Sequence, residues 1–503
     1  MMILRPHLPY DPRETSTSFA RRLALFHTGH GAGRLLEDLR LDRHAFGAGK
    51  FDTMSVFATA SEIDLDALLG GTIARFSRHR EFRGERWSRE FVLPEGARFC
   101  PACLLDDGAD TVEWHGKGRI AWRLRPIMTC QRHGLRLVTM SERQARDELG
   151  HRYPIGMELR EMAARQVEQT PTALENLIHD RISGRQTDEG GWLRAQTIEQ
   201  VTEVCEMIGA TVEQGPVFDV AGVTAEGWRR AGAVGLGIAS KGETALRDTL
   251  NEIAALSDTS SGKAGPRAIY GRLYEWLAYT TPVVDHGPIR SLLREQILDT
   301  LAIAPDEVLL GERVEGRRLH SVHSLSEQTG IHRKRLRKIL VQAGLASGES
   351  WDHAAHRLVF PAQVAEGFCR DLVDAVSLHQ LAEALDCTRS QAESLYRDGV
   401  LRPVVDRDLG QGIHKLAFAQ REIRGFLEFL SALPDETRQV PGTVSLTTAT
   451  KRTGRSTGDL LGRIKAGDLA AVRKPGQVGL ANLRLIAADL QPLKILVGAA
   501  VSG

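Results

Sequence analysis

No stretch of this chain has the roughly 18 consecutive apolar residues of a membrane-spanning helix. The opening Met1-Met2-Ile3-Leu4-Arg5-Pro6 lacks the apolar core of a secretory signal. Cysteine is scarce: six in 503 residues cannot make the disulfide scaffold of a secreted protein. These absences point to a reducing, cytoplasmic setting with no membrane contact. A phosphate-binding loop is also missing. Gly47-Ala48-Gly49-Lys50 approaches one, but His44 stands where the first glycine is needed and Phe51 where Ser or Thr is needed. No nucleophile and base have a usable spacing, and Asp106, Asp107, Glu113 and His115 read as solvated side chains. The chain is therefore read as a binding protein, not an enzyme. Neither sign of charge dominates, with 65 Lys and Arg against 64 Asp and Glu. At 42% hydrophobic and 26% charged, the composition is that of a globular protein and excludes a collagen, a disordered tail or a coiled-coil rod. The length suggests three to five domains at roughly 100–200 residues each.

The balance of charge is a sum of unequal parts. Trp114 to Ser141 holds six bases (Lys117, Arg119, Arg123, Arg125, Arg132, Arg136) and no acid. Arg75 to Arg89 holds six arginines against Glu81 and Glu85, and Arg313 to Leu340 holds eight bases against Glu315 and Glu327. Glu142 to Arg230 reverses the sign, with 16 acids against 10 bases. Basic segments beside an acidic one suit a polyanion-binding protein with a separate partner surface. On that basis the arginines of 114–141 are expected to face phosphate. Glu199, Glu203 and Glu206, spaced for one helical face, are expected to meet a protein partner.

The most specific motif is Phe99-Cys100-Pro101-Ala102-Cys103 followed by Cys130-Gln131-Arg132-His133-Gly134. Two ligand pairs, each with two intervening residues, have the spacing of a tetrahedral zinc site. Cys100, Cys103, Cys130 and His133 fill all four positions, so one structural zinc per chain is expected. Trp114 and Trp122 are expected to form the small core of this zinc ribbon. Cys205, Cys369 and Cys387 read as ordinary core thiols.

The C-terminal third is a repeat. Ser321-Val322-His323-Ser324-Leu325-Ser326, Ser377-Leu378-His379-Gln380-Leu381-Ala382 and Ser445-Leu446-Thr447-Thr448-Ala449-Thr450 share one pattern of serine, apolar, two polar, apolar, small. Gly344-Leu345, Gly399-Val400-Leu401 and Gly467-Asp468-Leu469 close the second helix of each unit. The first two units share a further element, His356-Arg357-Leu358-Val359-Phe360 and His414-Lys415-Leu416-Ala417-Phe418, read as a wing strand leading into a helix. Each unit fits a helix-turn-helix. In the first, Ser324 caps the leading helix, Gly330 makes the turn, and Ile331, Leu336 and Ile339 face inward. That leaves His332, Arg333, Lys334, Arg335, Arg337 and Lys338 for double-stranded DNA. Arg333, Lys334 and Arg337 are expected at base edges, and Arg335 and Lys338 at phosphate. The second unit turns at Asp386 and exposes Thr388, Arg389 and Ser390. The third turns at Gly454 and exposes Arg455, Ser456 and Thr457. Such folds also serve as protein-interaction modules, and the roles of the second and third units stay open.

Elsewhere, Thr15 to Ala24 reads as a capped helix start with Phe19, Leu23 and Phe26 at helical spacing. Segments 160–182, 195–209, 243–257, 266–280 and 288–303 read as helices, with Ser257–Gly262 a loop.

The combination of Leu8-Pro9-Tyr10, Glu14-Thr15-x-x-Ser18-Phe19-x-x-Arg22-Leu23-Ala24, Phe99 to Cys103, Trp122-Arg123 and Cys130 to Gly134 resembles the TniQ/TnsD family of transposition target-selection proteins. The likeness covers about residues 8–138. It departs in one respect: many members carry a second Cys-x-x-Cys pair after Cys-x-x-His-Gly, and Leu135 to Met140 has no cysteine. The resemblance implies helix-turn-helix domains after the zinc module. It also implies a bacterial, nucleoid-associated target selector that binds a DNA site, or a CRISPR guide complex there, and recruits an AAA+ ATPase regulator and a transposase.

The fold expected is mainly α and multi-domain. It comprises an N-terminal TniQ-like domain at 1–141 with a zinc module at about 97–138, then a helical region at 142–310. Tandem helix-turn-helix or winged-helix-like units follow at 311–372, 373–434 and 435–503. The length of this array favours direct DNA recognition. The alternatives are a chromosomal transcription regulator built from the same modules and, from another class, a zinc-dependent nuclease. The fully liganded metal site argues against the nuclease.

Overall fold

The computed structural model describes residues 2–141, 148–187, 189–256, 265–278, 285–345, 358–406, 416–437, 442–476 and 478–490. The chain is mainly α. It divides into one unit drawn from Met1–Asp258, Ala264–Ile297 and Val308–Glu312 and a second drawn chiefly from Leu298–Glu307 and Arg313–Gly503.

The first unit opens with α1 (Ser16–Thr28), α2 (Ala32–Asp38), α3 (Arg43–Gly47), α4 (Phe51–Ala60) and α5 (Leu65–Gly70). Thr15 caps α1, its side chain accepting from the Ser18 backbone N–H. Phe19, Leu23, Leu35, Leu36, Met54 and Phe57 recur at helical spacing and bury one another in a single core. A short antiparallel sheet follows, in the order β1 (Ala74–Arg75), β2 (Arg80–Phe82), β3 (Glu85–Trp87). Two further strand pairs frame the cysteines. They are β4 (Arg98–Phe99) with β7 (Val138–Thr139), and β5 (Thr129–Cys130) with β6 (Leu135–Arg136).

Then come α7 (Gly156–Ala164), α8 (Ala173–Ile182), α9 (Gly190–Arg194), α10 (Ile198–Gln214), α11 (Ala225–Ala239), α12 (Glu243–Leu256), α13 (Pro266–Ala278) and α14 (Ile289–Thr300), with α6 (Pro101–Asp106) earlier between β4 and β5. The helix expected over 160–182 is two helices. Thr172 and Glu175 form a capping box that starts α8 anew, and Glu168 bridges to Leu135 in between. Helices α9 and α11 were not anticipated. In α11 the small residues Gly232 and Gly235 blur the apolar pattern because they are close-packed, Gly232 against the Leu174 side chain and Gly235 against a neighbouring backbone. A Cβ on Gly235 would lie 1.9 Å from the Cys205 carbonyl oxygen of α10. The loop expected at Ser257–Gly262 lies outside the described residues.

The second unit repeats one arrangement. In the first copy, β8 (Leu319–Ser321) leads into α15 (Val322–Thr329) and α16 (Arg333–Gln342), and β9 (Val359–Pro361) returns antiparallel beside β8 and enters α17 (Ala362–Val373). The second copy is β10 (Val376–Ser377), α18 (Leu378–Ala384), α19 (Arg389–Arg397), β11 (Ala417–Phe418) and α20 (Gln420–Ser431). The third is β12 (Thr443–Ser445), α21 (Leu446–Thr453), α22 (Thr457–Ala466), β13 (Ala471–Arg473) and β14 (Leu483–Ile486), with β14 between β12 and β13. His320 pairs with Phe360, Ser377 with Ala417 and Val444 with Leu485. His356, Arg357, His414 and Lys415 lie outside the described residues, while Val359, Phe360, Ala417 and Phe418 are in strands.

The cap of α15 is Ser321; Ser324, expected there, is the third helical residue and closes a capping box back onto it. Gly330 ends α15 at φ 68°, a conformation that costs a residue with a Cβ, so the turn falls here. The first copy has its own core of Leu325, Leu336, Leu340, Phe360, Ala365 and Cys369. The second and third share one continuous core running from Leu378 to Leu485.

Candidate metal centre and basic surfaces

Four side chains that are far apart in sequence meet at the start of α6 and the end of β5. Pro101 begins α6, so Cys100 is the residue before the helix and Cys103 lies one turn on. Cys130 ends β5, and the chain reverses through His133 to Gly134, at φ 61°. The Cys103 and Cys130 sulfurs are 3.5 Å apart. His133 Nδ1 stands 3.6, 3.3 and 3.6 Å from the sulfurs of Cys100, Cys103 and Cys130. A tetrahedron with zinc–sulfur bonds near 2.3 Å and zinc–nitrogen bonds near 2.0–2.1 Å has edges of roughly 3.6–3.8 Å, so the donors are spaced to close on one ion.

Crowding sets the thiols against one another. The Cys100 and Cys103 thiols, with the backbone N–H groups of His133 and Arg132, draw the Cys130 thiol far below its ordinary value. The Cys100 and Cys130 thiols, with burial, push Cys103 up. Three thiolates cannot be packed together without positive charge between them. His133 Nε2 lies 3.0 Å from Asp106 Oδ2, which leaves Nδ1 as the ligand atom, and Arg132 pairs with the same carboxylate at 2.7 Å. Among the described residues this Cys3His cluster is the group that can hold a metal ion. Asp106 was dismissed as a solvated side chain in the sequence; its spacing three residues after Cys103 was the available signal.

The tryptophans divide. Trp122 is buried, whereas Trp114 packs edge-on against Phe26 of α1, ring centroids 5.4 Å apart, instead of completing the zinc-module core. The same loop is tied to α1 by the sequence motif itself. Arg22 donates to Glu14 at 2.6 Å and to the Trp114 carbonyl at 2.8 Å, and Arg21 donates to the Gly116 carbonyl at 2.7 Å. Ser18 Oγ donates to Glu14 at 2.8 Å and accepts from the Gly118 N–H at 2.8 Å, while Thr15 donates to Glu95 at 2.9 Å. Glu14-Thr15-x-x-Ser18-x-x-x-Arg22 is thus a buried latch between α1 and the metal module.

The basic run of 114–141 is mostly not available to phosphate. Arg119 pairs with Asp107 at 2.8 Å, Arg123 with Glu95 at 3.0 Å and Arg125 with Glu206 at 2.7 Å. Arg119 and Arg132 line a cleft of about 460 Å³ beside the metal cluster, together with Arg13, Arg83 and Arg185. The acidic surface expected on α10 is likewise internal. Glu206 is the buried partner of Arg125, Glu203 receives His286 Nδ1 at 3.1 Å, and Glu199 accepts from the Ser88 N–H at 2.6 Å and from its hydroxyl. Burial pushes the Glu199 carboxyl up to about 7. Charge counted along the chain does not show this, because Asp107 and Glu95, outside the acidic run, neutralise Arg119 and Arg123, and Glu206 reaches Arg125 from 81 residues away.

The basic face of α16 is different. His332, Arg333, Lys334 and Arg335 are exposed, and Arg337 and Lys338 half-buried. No ion pair holds Arg333, Lys334 or Arg335 among the described residues, and His332 caps the helix by accepting from the Lys334 N–H at 3.3 Å. Arg389 is exposed on α19 with Glu393 3.5 Å away. Arg455 is half-buried and pairs with Asp459 at 2.8 Å. Thr457, expected outward, is buried, because the start of α22 abuts α19: Ser456 donates to Asp398 at 2.6 Å and the Gly458 N–H donates to Ser394 at 3.0 Å.

Residues 5–137 match the TniQ family model, the stretch that contains the latch and the four metal-ligand candidates. No curated protein matches the chain. Among the described residues, no helix is long and apolar enough to cross a membrane.

Proposed function

From a chain whose residues 5–137 match the TniQ family model, we propose a DNA-binding target selector. A TniQ domain implies a transposon-associated target-selection protein, working in a complex with DNA and other transposition proteins. In the reading proposed, the second unit binds double-stranded DNA as tandem helix-turn-helix modules with strand-paired wings. The chain recruits an AAA+ ATPase regulator and a transposase to that DNA. Cys100, Cys103, Cys130 and His133 hold one zinc, which supplies folding free energy and no open position for chemistry. The observation that carries DNA recognition is the row of unpaired cations on α16. Ion pairs consume most of the other basic run, whereas Arg333, Lys334 and Arg335 stand free beyond the Gly330 turn, where a recognition helix meets base edges. Arg389 and Arg455, each with a carboxylate neighbour, are flanking contacts.

The test is a titration of full-length protein against site and non-site duplexes at several salt concentrations. Arg333→Ala is expected to relax sequence preference, since an arginine–guanine pair contributes roughly 1–3 kcal/mol of discrimination. Lys338→Ala is expected to weaken every duplex alike and to lower the salt slope by about one. Wild-type behaviour in both variants would make the first copy a protein-interaction module and shift weight to recruitment by a guide complex.

A further inference from the structure

The Gly-Ala-Gly-Lys segment that fails as a nucleotide loop has a different setting in the fold. Between α3 and α4 it lies along β1, with the Arg75 N–H donating to the Ala48 carbonyl at 3.0 Å. Contact is close enough that a Cβ on Gly47 would lie 2.6 Å from the Arg75 guanidinium, and one on Gly49 2.7 Å from the Thr72 side chain. Each of the two apposed segments carries an exposed aromatic ring. Phe51, at the start of α4, is 62% exposed, and Phe76, at the β1–β2 turn, is 41% exposed. Large apolar side chains are normally covered, and two uncovered rings need an account.

Their surroundings are cationic. Lys50 Nζ lies 5.7 Å from the Phe76 ring centroid. His79 stacks on Phe76 with centroids 4.6 Å apart and 6° between planes, and Glu81 steadies the imidazole at 3.1 Å. The Arg80 guanidinium donates to the carbonyls of Phe76 and His79 at 3.2 and 3.0 Å and so fixes the turn that presents the rings. Burial, then the Arg75 and Arg89 guanidiniums, lower the basicity of Arg80, so these cations share one field. Arg78 and Arg89 are exposed, and no ion pair holds either among the described residues.

We infer that the Gly47–Phe51 segment and the β1–β2 turn form a binding platform for a single-stranded nucleic acid. Bases stack on the Phe76–His79 pair and on Phe51, and the phosphates run along Lys50, Arg78 and Arg89. Planar rings interleaved with unpaired cations are the sequence-tolerant chemistry of unpaired strands, because every base has a stacking face and every nucleotide a phosphate. A duplex keeps its base faces covered, so it would leave the exposed rings unused. The platform lies in the first unit and does not depend on α16 reading duplex DNA.

Anisotropy titration of the full-length, metal-loaded protein tests this, with labelled dT20, rU20 and a 20-base-pair duplex as probes. Phe76→Ala is expected to weaken the single strands by at least about fivefold, the fold-change of about 1 kcal/mol of stacking, and to spare the duplex. Phe76→Leu, which keeps the apolar cover and loses the ring, should do the same if the alanine variant is unstable, and Phe76→Trp should restore binding. Arg78→Glu should weaken both single strands and flatten their salt dependence. Whichever of dT20 and rU20 binds more tightly identifies the natural strand as DNA or RNA. Equal loss for single strands and duplex, or no loss in any variant, overturns the platform.

Discussion

At the scale of single residues, the metal cluster makes the firmest claim. Each ligand is supplied by a separate local device: the residue before a proline-started helix, the first turn of that helix, a strand end and a reversal at Gly134. Cys130→Ser is expected to leave substoichiometric zinc by elemental analysis and to expose the module to proteolysis, since the remaining donors cannot close a tetrahedron. A variant with full metal content would refute the assignment. Glu199 makes a second residue-scale prediction. Its folded-state value, pushed up to about 7, exceeds the ordinary 4.5. Between those values the folded chain holds a proton that the unfolded chain has released, so stability falls as pH rises from about 4.5 to 7 and levels off above. The span corresponds to an upper bound of about 3 kcal/mol. Urea unfolding at pH 5, 6, 7 and 8 should show this decline in wild type and a flatter profile in Glu199→Gln.

At the scale of elements, side chains expected to serve partners turn out to join helices. Glu206 and Arg125 fasten α10 to the metal module, so Glu206→Lys leaves two cations facing each other in a part-buried setting. The expected effect is a loss of stability smaller than that of breaking a fully buried pair, because Glu206 is buried while Arg125 is partly exposed and solvent screens the repulsion. Thermal unfolding should reveal this loss before any pull-down is informative. Gly458 plays the corresponding part in the second unit. A Cβ there would lie 2.4 Å from an Asp398 carboxylate oxygen and 2.7 Å from the Ser394 carbonyl. Gly458→Val should therefore push α22 off α19 and destabilise the shared core by roughly 1–3 kcal/mol. An unchanged melting temperature would show that the two helices tolerate separation.

At the scale of the whole molecule, the two units have separate tasks under the reading proposed. The first contains the TniQ match, with its latch and its four metal-ligand candidates, and the second carries the cations proposed for duplex DNA. Chelation of the metal should consequently unfold the 97–138 module while α16 retains its affinity for duplex, measured on the same full-length sample. Loss of both together would mean that duplex binding runs through the TniQ domain. Genome-wide immunoprecipitation is expected to give discrete sites for the wild type and diffuse occupancy for Arg333→Ala.

The sequence by itself determined whatever depends on local spacing. The two Cys-x-x-ligand pairs, the capped start of α1, the positive-φ turn at Gly330 and the serine-led repeat were legible, because each is set within a few residues by backbone geometry, whereas the cap read at Ser324 lies at Ser321. Tertiary structure decided what each charge is for. Arg125 and Glu206 look like two opposite surfaces in sequence and are one ion pair in space, because burial leaves the Glu206 carboxylate no alternative to a partner. It also decided that β14 completes the third copy, which a longer intervening segment hid. The same holds for the break at 165–172, where a capping box and a bridge to Leu135 override a run of helix-forming residues. Lys50 and the Phe76 ring lie 26 positions apart and meet only in the fold, where Gly49 has no Cβ to keep its segment off Thr72 and Ala74.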